Sequence, residues 1–590
     1  MELEFIRRDM AKIAAHMNKR LSKYRRNYNR YANNGRRSED IREQYGMATA
    51  FMDQSMREDT GTTPNLNIIK SAINTHVSKM SATKVRPFFN PMVGTFKTRK
   101  VCRQAQQYFD EFFETKDVYR KAIECMRYAD IFELGCAWID DESRDVVKIA
   151  PWEFYFDASE LNFGRMTRCF ILQKQFPLIY MKDKLHGEAA DYKEKLEQDP
   201  STKVERAVYY DLEGGKKYIF VDAKLCGTPT KYEAKIPPVA MLYLEEPLKG
   251  AFSCSMADDL YTIQAQVDSL CERIHLALEL SPANTIWVPE GSDVKASMLS
   301  NEIGAVYNYR PLPGTSGTPV IISTPPAIDP QYLSMLEFWT RQGFEITGIS
   351  QLSAMAKKPS GLNSGVALQT VEDVESDRHN LILQAYIRFL MNIAKICIEV
   401  FPPDEEILPN RTGRADIKWK DIKKERDSFS IQFSASSSLS KDPKVKMEQI
   451  EKLIAMKILN PSLAASMLEF PDLENAYSIT SASYDACQRI IERAIEDNVF
   501  DFYEVVELNQ LYREISTTLL QLDANDEDVV TLERLVKLLG IVKQKLDAVT
   551  KAQTPPAPVQ GPGAPPQEMK PPTAPGPTGP LPVNAGPPAA

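Results

Sequence analysis

The sequence predicts an α+β, mostly helical protein made of several packed parts. Three observations carry this expectation. At 590 residues the chain is too long for one core, since domains run to roughly 100–200 residues. Apolar residues recur at helical spacing before residue 135 and again after residue 255. Between them, residues 135–245 break into short β-prone runs separated by turn residues, as an antiparallel sheet requires. Hydrophobic residues at 43% and charged ones at 26% exclude collagen-like, fully disordered and disulfide-scaffold classes. The net charge of −8 argues against wrapping nucleic acid with the whole surface. Nine scattered cysteines, an odd number with no CxxC pair, read as reduced thiols.

Element by element, residues 2–43 carry twelve Lys/Arg against six Asp/Glu. Runs such as Lys19 to Arg26 suggest an exposed helix, read as a solvated face or, more sharply, as an arm touching nucleic acid. Ile69, Ile73, His76, Val77 and Met80 fall on one helix face, and Pro87 and Pro91 end that segment. One long helix is expected over 98–132. Strands follow at 136–139, 146–149, 170–172, 207–210, 218–221 and 239–243. A helix then runs from an N-cap at Ser255 with Asp258 and Asp259 in its first turn, and Pro282 stops it. Residues 283–329 hold short strands, including 285–288, 304–307 and 320–322, before a second helix from Pro330. Residues 350–364 are rich in small residues and read as a loop. A very long helix capped by Ser364 reaches about Phe401, and its stretch Leu381 to Phe401, broken by Arg388, Lys395 and Glu399, reads as buried and amphipathic rather than membrane-spanning. Short strands at 416–419 and 429–433, a helical region and a proline-rich tail (553–590) too poor in apolar residues to fold complete the chain. The N-terminus has no apolar signal core, so no export and no membrane association are expected.

Motifs for chemistry are sparse. There is no Walker A loop, GxGxxG, HExxH, GxSxG or paired-cysteine motif, and no cofactor is expected. Cys271 and His275 share a helix face but make only two ligands, which is not a site. Asp523 to Asp528 resembles the opening of a calcium loop yet lacks the glycine at its sixth place, so it reads as an interhelical turn. Asp268, Glu272 and Glu279 fall on one face of the helix that Ser255 caps, beside an apolar stripe of Ile263, Val267, Leu270, Ile274 and Leu278. That acidic stripe is ordinary solvent surface unless copies of the helix line a ring.

Three runs resemble the portal (head-to-tail connector) proteins of bacteriophages, the podovirus type in particular. They are Asn67 to Thr75 followed by Lys84-Val85-Arg86-Pro87; Asp130 to Trp138 leading to Ala150 to Asp157; and Phe344 to Ser350 with Ser364 to Gln369 opening the long helix. The resemblance covers about 60–400. It implies a portal architecture of wing, stem, clip and crown, assembled as a dodecameric homo-oligomeric ring with a central channel at a capsid vertex. The implied division is wing 1–254, stem helices 255–282 and 330–349 flanking a clip at 283–329, tunnel loop 350–364, long wing helix and strands 365–440, crown 441–552 and tail 553–590. By the same analogy double-stranded DNA passes through the channel during packaging and ejection. The clip, with Trp287, Glu290, Asp293, Lys295 and Arg310 as candidate contacts, docks the terminase large subunit and later the head–tail adaptor or tail proteins. The resemblance also implies contacts with the major capsid protein and a scaffold protein, and a place for the ring in the virion. Asp268, Glu272 and Glu279 would line the bore, and Lys357 and Lys358 would touch phosphates from the tunnel loop; the subunit itself would catalyse nothing. Two other readings stand beside this one: another ring-forming phage connector or scaffold, and a metal-dependent nucleic-acid enzyme.

Overall fold

The structure is a computed structural model and describes residues 2–32, 66–81, 85–92, 95–280, 285–287, 321–323, 329–349, 365–402, 406–407, 417–435, 451–452, 454–456, 486–502, 506–523 and 528–553. It is an α+β fold dominated by helix, with no closed barrel among the described residues. The chain divides into two compact units, Met1–Leu468 and Glu469–Ala590.

In the first unit, helix α1 (Glu2–Ala32) precedes α2 (Ile68–Ser81), strand β1 (Val85–Pro91), α3 (Phe96–Thr115) and α4 (Val118–Phe132). The expected single helix over 98–132 is therefore two. The break sits at Lys116-Asp117, where the Lys116 N–H still donates to Phe112 O at 3.0 Å but Asp117 turns left-handed (φ 51°). Aspartate tolerates that conformation better than most residues, and no proline or glycine marks the break in the sequence. Strand β1 is a second departure: Pro87 and Pro91 do not merely end α2 but lie within a strand. It pairs antiparallel with β15 (Phe429–Ala435), for example Phe89↔Ile431, in a two-stranded ribbon. A ribbon strand has one free edge, where a missing N–H is tolerated.

The β-rich region forms two antiparallel sheets. Strands β2 (Gly135–Asp140), β3 (Asp145–Ile149) and β10 (Val239–Leu242) are ordered β10-β2-β3, with Trp138 opposite both Val147 and Val239. The larger sheet runs β4 (Phe154–Phe156), β5 (Arg168–Pro177), β6 (Lys203–Asp211), β7 (Lys216–Val221) and β8 (Lys224–Leu225), with β9 (Thr230–Lys231) also on β7. Trp138 Nε1–H donates to Tyr210 Oη at 3.1 Å and ties the two sheets together. Both sheets share one apolar core with α3, α4 and the C-terminal half of the long helix.

The helical hairpin α5 (Met256–Leu280) and α6 (Pro330–Thr347) follows, and strands β11 (Thr285–Trp287) and β12 (Ile321–Ser323) pair between its two arms. Helix α7 (Gly365–Val400) is the expected long one, about 54 Å at 1.5 Å per residue. Its stretch Asn380–Val400 is, among the described residues, the single one long and apolar enough to cross a membrane by length and composition. Here Tyr386, Phe389, Leu390, Ile393, Ala394 and Cys397 are buried in the shared core. Two-residue strands β13 (Glu406–Ile407) and β14 (Ile417–Lys418) pair next, and Trp419, expected in a strand, instead opens a short helix, Trp419–Lys424. In the second unit, a helix over 486–496 precedes α8 (Leu508–Asp523) and α9 (Val529–Gln553). Leu511, Ile515 and Leu522 of α8 and Leu535, Leu538 and Val542 of α9 are buried, and the described residues of the region expected to be mostly helical are mostly helical.

Candidate functional site: the anchored helical hairpin

Helix α5 starts where the sequence places it. Ser255 Oγ accepts from the Asp258 N–H at 3.1 Å, while Asp258 Oδ2 accepts from the Ser255 N–H at 3.0 Å and from its hydroxyl at 2.9 Å. This reciprocal cap satisfies backbone donors the first turn leaves open. From there Leu260, Ile263, Val267 and Cys271 form a buried stripe against Ile68, Ile69, Ala72 and Ile73 of α2 and Phe344 of α6. Of the five apolar stripe residues expected, Ile263, Val267 and Leu270 are buried, Ile274 is half-buried, and Leu278 is 56% exposed.

Helix α6 begins with Asp329, whose side chain accepts from the Gln331 N–H at 2.9 Å, then Pro330. It ends at Gly348, left-handed at φ 72°, where the Ile349 N–H donates to Phe344 O. Gly343 is the contact point: a methyl there would stand 3.1 Å from Ile68 Cγ2 and 3.6 Å from Ile263 Cγ2. Gly343→Leu should push α6 off both neighbours and cost about 1–3 kcal/mol. Denaturant unfolding together with hydrogen exchange in α2 measures this, and wild-type values would refute the close approach.

A buried polar seam runs beneath the hairpin. Gln264, 2% exposed, accepts from the Ile68 N–H at 2.8 Å and donates to Leu66 O at 2.9 Å and Asp268 Oδ1 at 2.7 Å. A side chain of α5 therefore caps the N-terminus of α2. Asn67 does the same for two helices at once, donating to Arg30 O and Tyr31 O at the end of α1 while accepting from the Lys70 N–H at 2.7 Å. His76 and Asp130, both fully buried, join α2 to α4 at 3.0 Å.

The strongest electrostatics come from α1, and they correct the sequence reading. Arg20, Lys23, Arg26 and Arg30 do not form a solvated face or a free arm; each is paired with a carboxylate of this unit. Arg20 and Lys23 (2.7 Å) meet Glu133, whose side chain is completely buried at the end of α4. Lys23 (2.8 Å) and Arg26 (3.0 Å) meet Asp258, with Asn27 Nδ2 donating to the same carboxylate at 3.1 Å. Arg30 meets Asp268. Burial alone would raise Asp258, but hydrogen bonds from Lys23, Ser255 and Asn27 outweigh it and hold the carboxyl below its ordinary value. Burial alone would lower Lys23, and the bonds to Asp258 and Glu133 outweigh that and keep it above the usual ammonium value. Tyr24, buried beside this cluster, is pushed well up by burial. Farther back along α1, Asp9 accepts from Tyr209 Oη–H at 3.1 Å and pairs with Arg168 at 3.2 Å, joining the helix to the larger sheet. At about 46 Å, α1 is thus a strap from the larger sheet to the foot of the hairpin.

Among the residues expected to line a bore, Asp268 pairs with Arg30 of α1, its side chain 28% exposed. Glu272 is exposed on α5. Glu279 lies on the last turn of α5, but its side chain is outside the described set. Trp287 sits on β11 opposite Ile321. Glu290, Asp293, Lys295, Arg310, Lys357, Lys358, Ser364, the strand expected at 304–307, the loop 350–364 and the tail from 554 lie outside the described residues. Cys271 is buried, and among the described residues no group of three or more His, Cys, Asp or Glu is placed to hold a metal. Sequence reasoning missed Glu133, Asp258 and Gln264 as partners. The one local signal was the spacing of Arg20, Lys23, Arg26 and Arg30, three to four apart, which puts four cations on one helix face. No protein-family model matches this chain, and no curated protein matches its sequence.

Proposed function

We propose that the chain is a portal subunit: copies stand side by side in a dodecameric ring at a capsid vertex, and double-stranded DNA passes through the middle. The observation that carries this reading is the hairpin. Its foot is fixed to the wing by α1, α2 and Gln264, whereas α6 beyond that foot leaves Tyr332, Leu333, Met335 and Phe338 between 40% and 53% exposed. A run of large apolar residues open to water on one helix marks a surface that another protein covers. The hairpins of neighbouring copies, about 38 Å and 27 Å along their two helices, would cover one another and build a tube.

The chemistry suits a conduit that must not grip its cargo. Every phosphate neutralised by Lys or Arg adds affinity through counterion release, so a basic bore would trap DNA. With Asp268 paired to Arg30, the negative lining rests on Glu272 and Glu279. Lys357 and Lys358 would supply a few weak, exchangeable phosphate contacts at the constriction. The segment 283–329, between the two hairpin helices in sequence, would be the docking knob for the terminase large subunit and then for adaptor or tail proteins. Major capsid and scaffold proteins meet the wing, and the subunit is assembled in the host cytoplasm and resides in the virion. It hydrolyses nothing and needs no cofactor.

Negative-stain images and native mass spectra of the full chain at micromolar concentration test this. The expected particles are rings of about twelve copies with an open centre; solitary particles without a hole overturn the reading.

A further inference from the structure

No Asp or Glu occurs from Thr60 to Phe109, a stretch that holds eight Lys/Arg in a chain of net charge −8. The structure gathers part of that charge on α3. At 100° per residue, Arg99, Lys100 and Arg103 fall within about 100° of arc, opposite the buried Val101, Ala105 and Phe109. All three cations are half-buried. They stand among the first eight residues of α3, while Asp110, Glu111 and Glu114 stand among its last six. That order opposes the helix dipole, which favours acids at the start of a helix and cations at its end. A charge pattern that works against its own helix is expected where a site requires it.

Arg99, Arg103 and Gln106 of α3 and Phe88 and Pro91 of β1 line a groove of about 280 Å³, and among the described residues no carboxylate lines it. The acids nearby are already engaged. Glu425 is held by Lys97 at 2.7 Å, so Lys97 is not counted with the other three cations. Asp110 accepts from Gln106 Nε2 at 3.0 Å and lies seven residues beyond Arg103, about 10 Å along the axis. The groove is closed to an extended peptide that would pair with β1. Gln106 Nε2 donates to Pro87 O at 2.6 Å, its Oε1 accepts from the Phe89 N–H at 3.3 Å, and Tyr119 Oη–H donates to Val85 O at 2.9 Å. Pro87 and Pro91 have no N–H to offer, so strand addition finds almost no free backbone here.

We propose that this face of α3 binds the phosphate backbone of double-stranded DNA. Arg99, Lys100 and Arg103 span about 6 Å of helix axis, against a rise of about 3.4 Å per phosphate along one strand. Guanidinium forks match pairs of phosphate oxygens, and contacts to phosphate carry no sequence information. Three such contacts make a modest hold, which weakens about fortyfold between 50 and 200 mM salt. The contact uses none of Glu272, Glu279, Lys357 or Lys358, so it stands apart from the ring reading.

The test is fluorescence anisotropy of the full chain with short labelled duplexes of two unrelated sequences. At 50 mM salt the chain should bind both alike. Arg99→Gln with Lys100→Gln and Arg103→Gln should weaken binding about tenfold or more and reduce the slope of log affinity against log salt by about 2.7. Because the lost charges oppose the helix dipole, this variant should unfold at an unchanged or higher temperature. Arg99→Lys with Arg103→Lys keeps the charge and should keep most of the binding. Arg8→Gln with Lys12→Gln and Lys70→Gln removes three exposed cations of α1 and α2 and should change binding little. Bound duplex should also slow hydrogen exchange at the start of α3. Equal losses from the two triple variants would mean that net charge alone holds the DNA and would overturn the site, as would unchanged exchange in α3 or no binding at 50 mM salt. Protection of α3 by polyglutamate but not by the duplex would assign the face to an acidic protein segment and overturn the proposal as well. None of these outcomes bears on the ring, which the images test separately.

Discussion

Replacing Glu133 by alanine should destabilise the first unit by about 3–5 kcal/mol, the usual loss when one member of a buried ion pair is removed. The carboxylate is completely buried and holds Arg20 and Lys23, with the Tyr24 hydroxyl also donating at 3.4 Å. Alanine strands two partly buried cations, of which Lys23 keeps one other carboxylate, Asp258, among the described residues. Glutamine keeps the shape and some hydrogen bonding but not the charge, so Glu133→Gln should fall between wild type and Glu133→Ala. Denaturant unfolding followed by a probe in the first unit reads the difference. Hydrogen exchange in α1 and the first turns of α5 should rise together, because Lys23 links Glu133 to Asp258. A loss under about 1 kcal/mol with unchanged exchange would show that the strap is held by its other contacts, the buried Ile6, Ile13 and Met17 and the Asp9, Arg26 and Arg30 pairs.

The same cluster sets a pH window. Asp258 titrates below its ordinary value in the fold, so its contribution is present above the unfolded carboxylate value of about 3.9 and is lost as pH falls through the lower folded value. Lys23 titrates above its ordinary value, so its contribution is complete below about 10.4 and is lost as pH rises through the higher folded value. The strap should therefore hold unchanged across neutral pH and loosen only in strong acid or strong base. Removing Asp258 should flatten the acid limb of that profile.

Gly135→Ala should be at least as damaging. A methyl group built on Gly135 would stand 2.1 Å from the Cys125 backbone oxygen and 2.7 Å from its carbonyl carbon. The obstruction is main chain of α4, which no rotamer change can move aside. Accommodating it must lift α4 off β2, where the Cys125 thiol also donates to Cys136 O at 3.2 Å. Overpacking typically costs about 1–3 kcal/mol where side chains can shift, and a backbone clash exceeds that range. The measured result should be poor yield of folded protein or a lowered unfolding midpoint. Gly164→Ala, at a glycine with nothing near it but a left-handed backbone, serves as the contrast and should cost far less. Equal effects would mean that α4 and β2 are not in this contact.

Most elements were legible along the chain because their signals are local. The apolar spacing of Ile69, Ile73 and Val77, the Ser255 cap with Asp258, and the β-prone runs from Cys136 to Tyr243 each depend on residues a few places apart. Where a local signal was silent or misleading, the expectation failed: Asp117 broke a helix without proline or glycine, and Pro87 and Pro91 disguised a strand whose partner lies some 340 residues on. The site divides in the same way. Sequence alone determined that the first helix is basic and that Asp268 and Glu272 share one face of α5. Only the tertiary structure decided that Arg30 cancels Asp268 and that Glu133 and Asp258 absorb Arg20, Lys23 and Arg26. Periodicity sorts side chains by helix face, but whether a charge meets water or its opposite depends on which distant surface packs there.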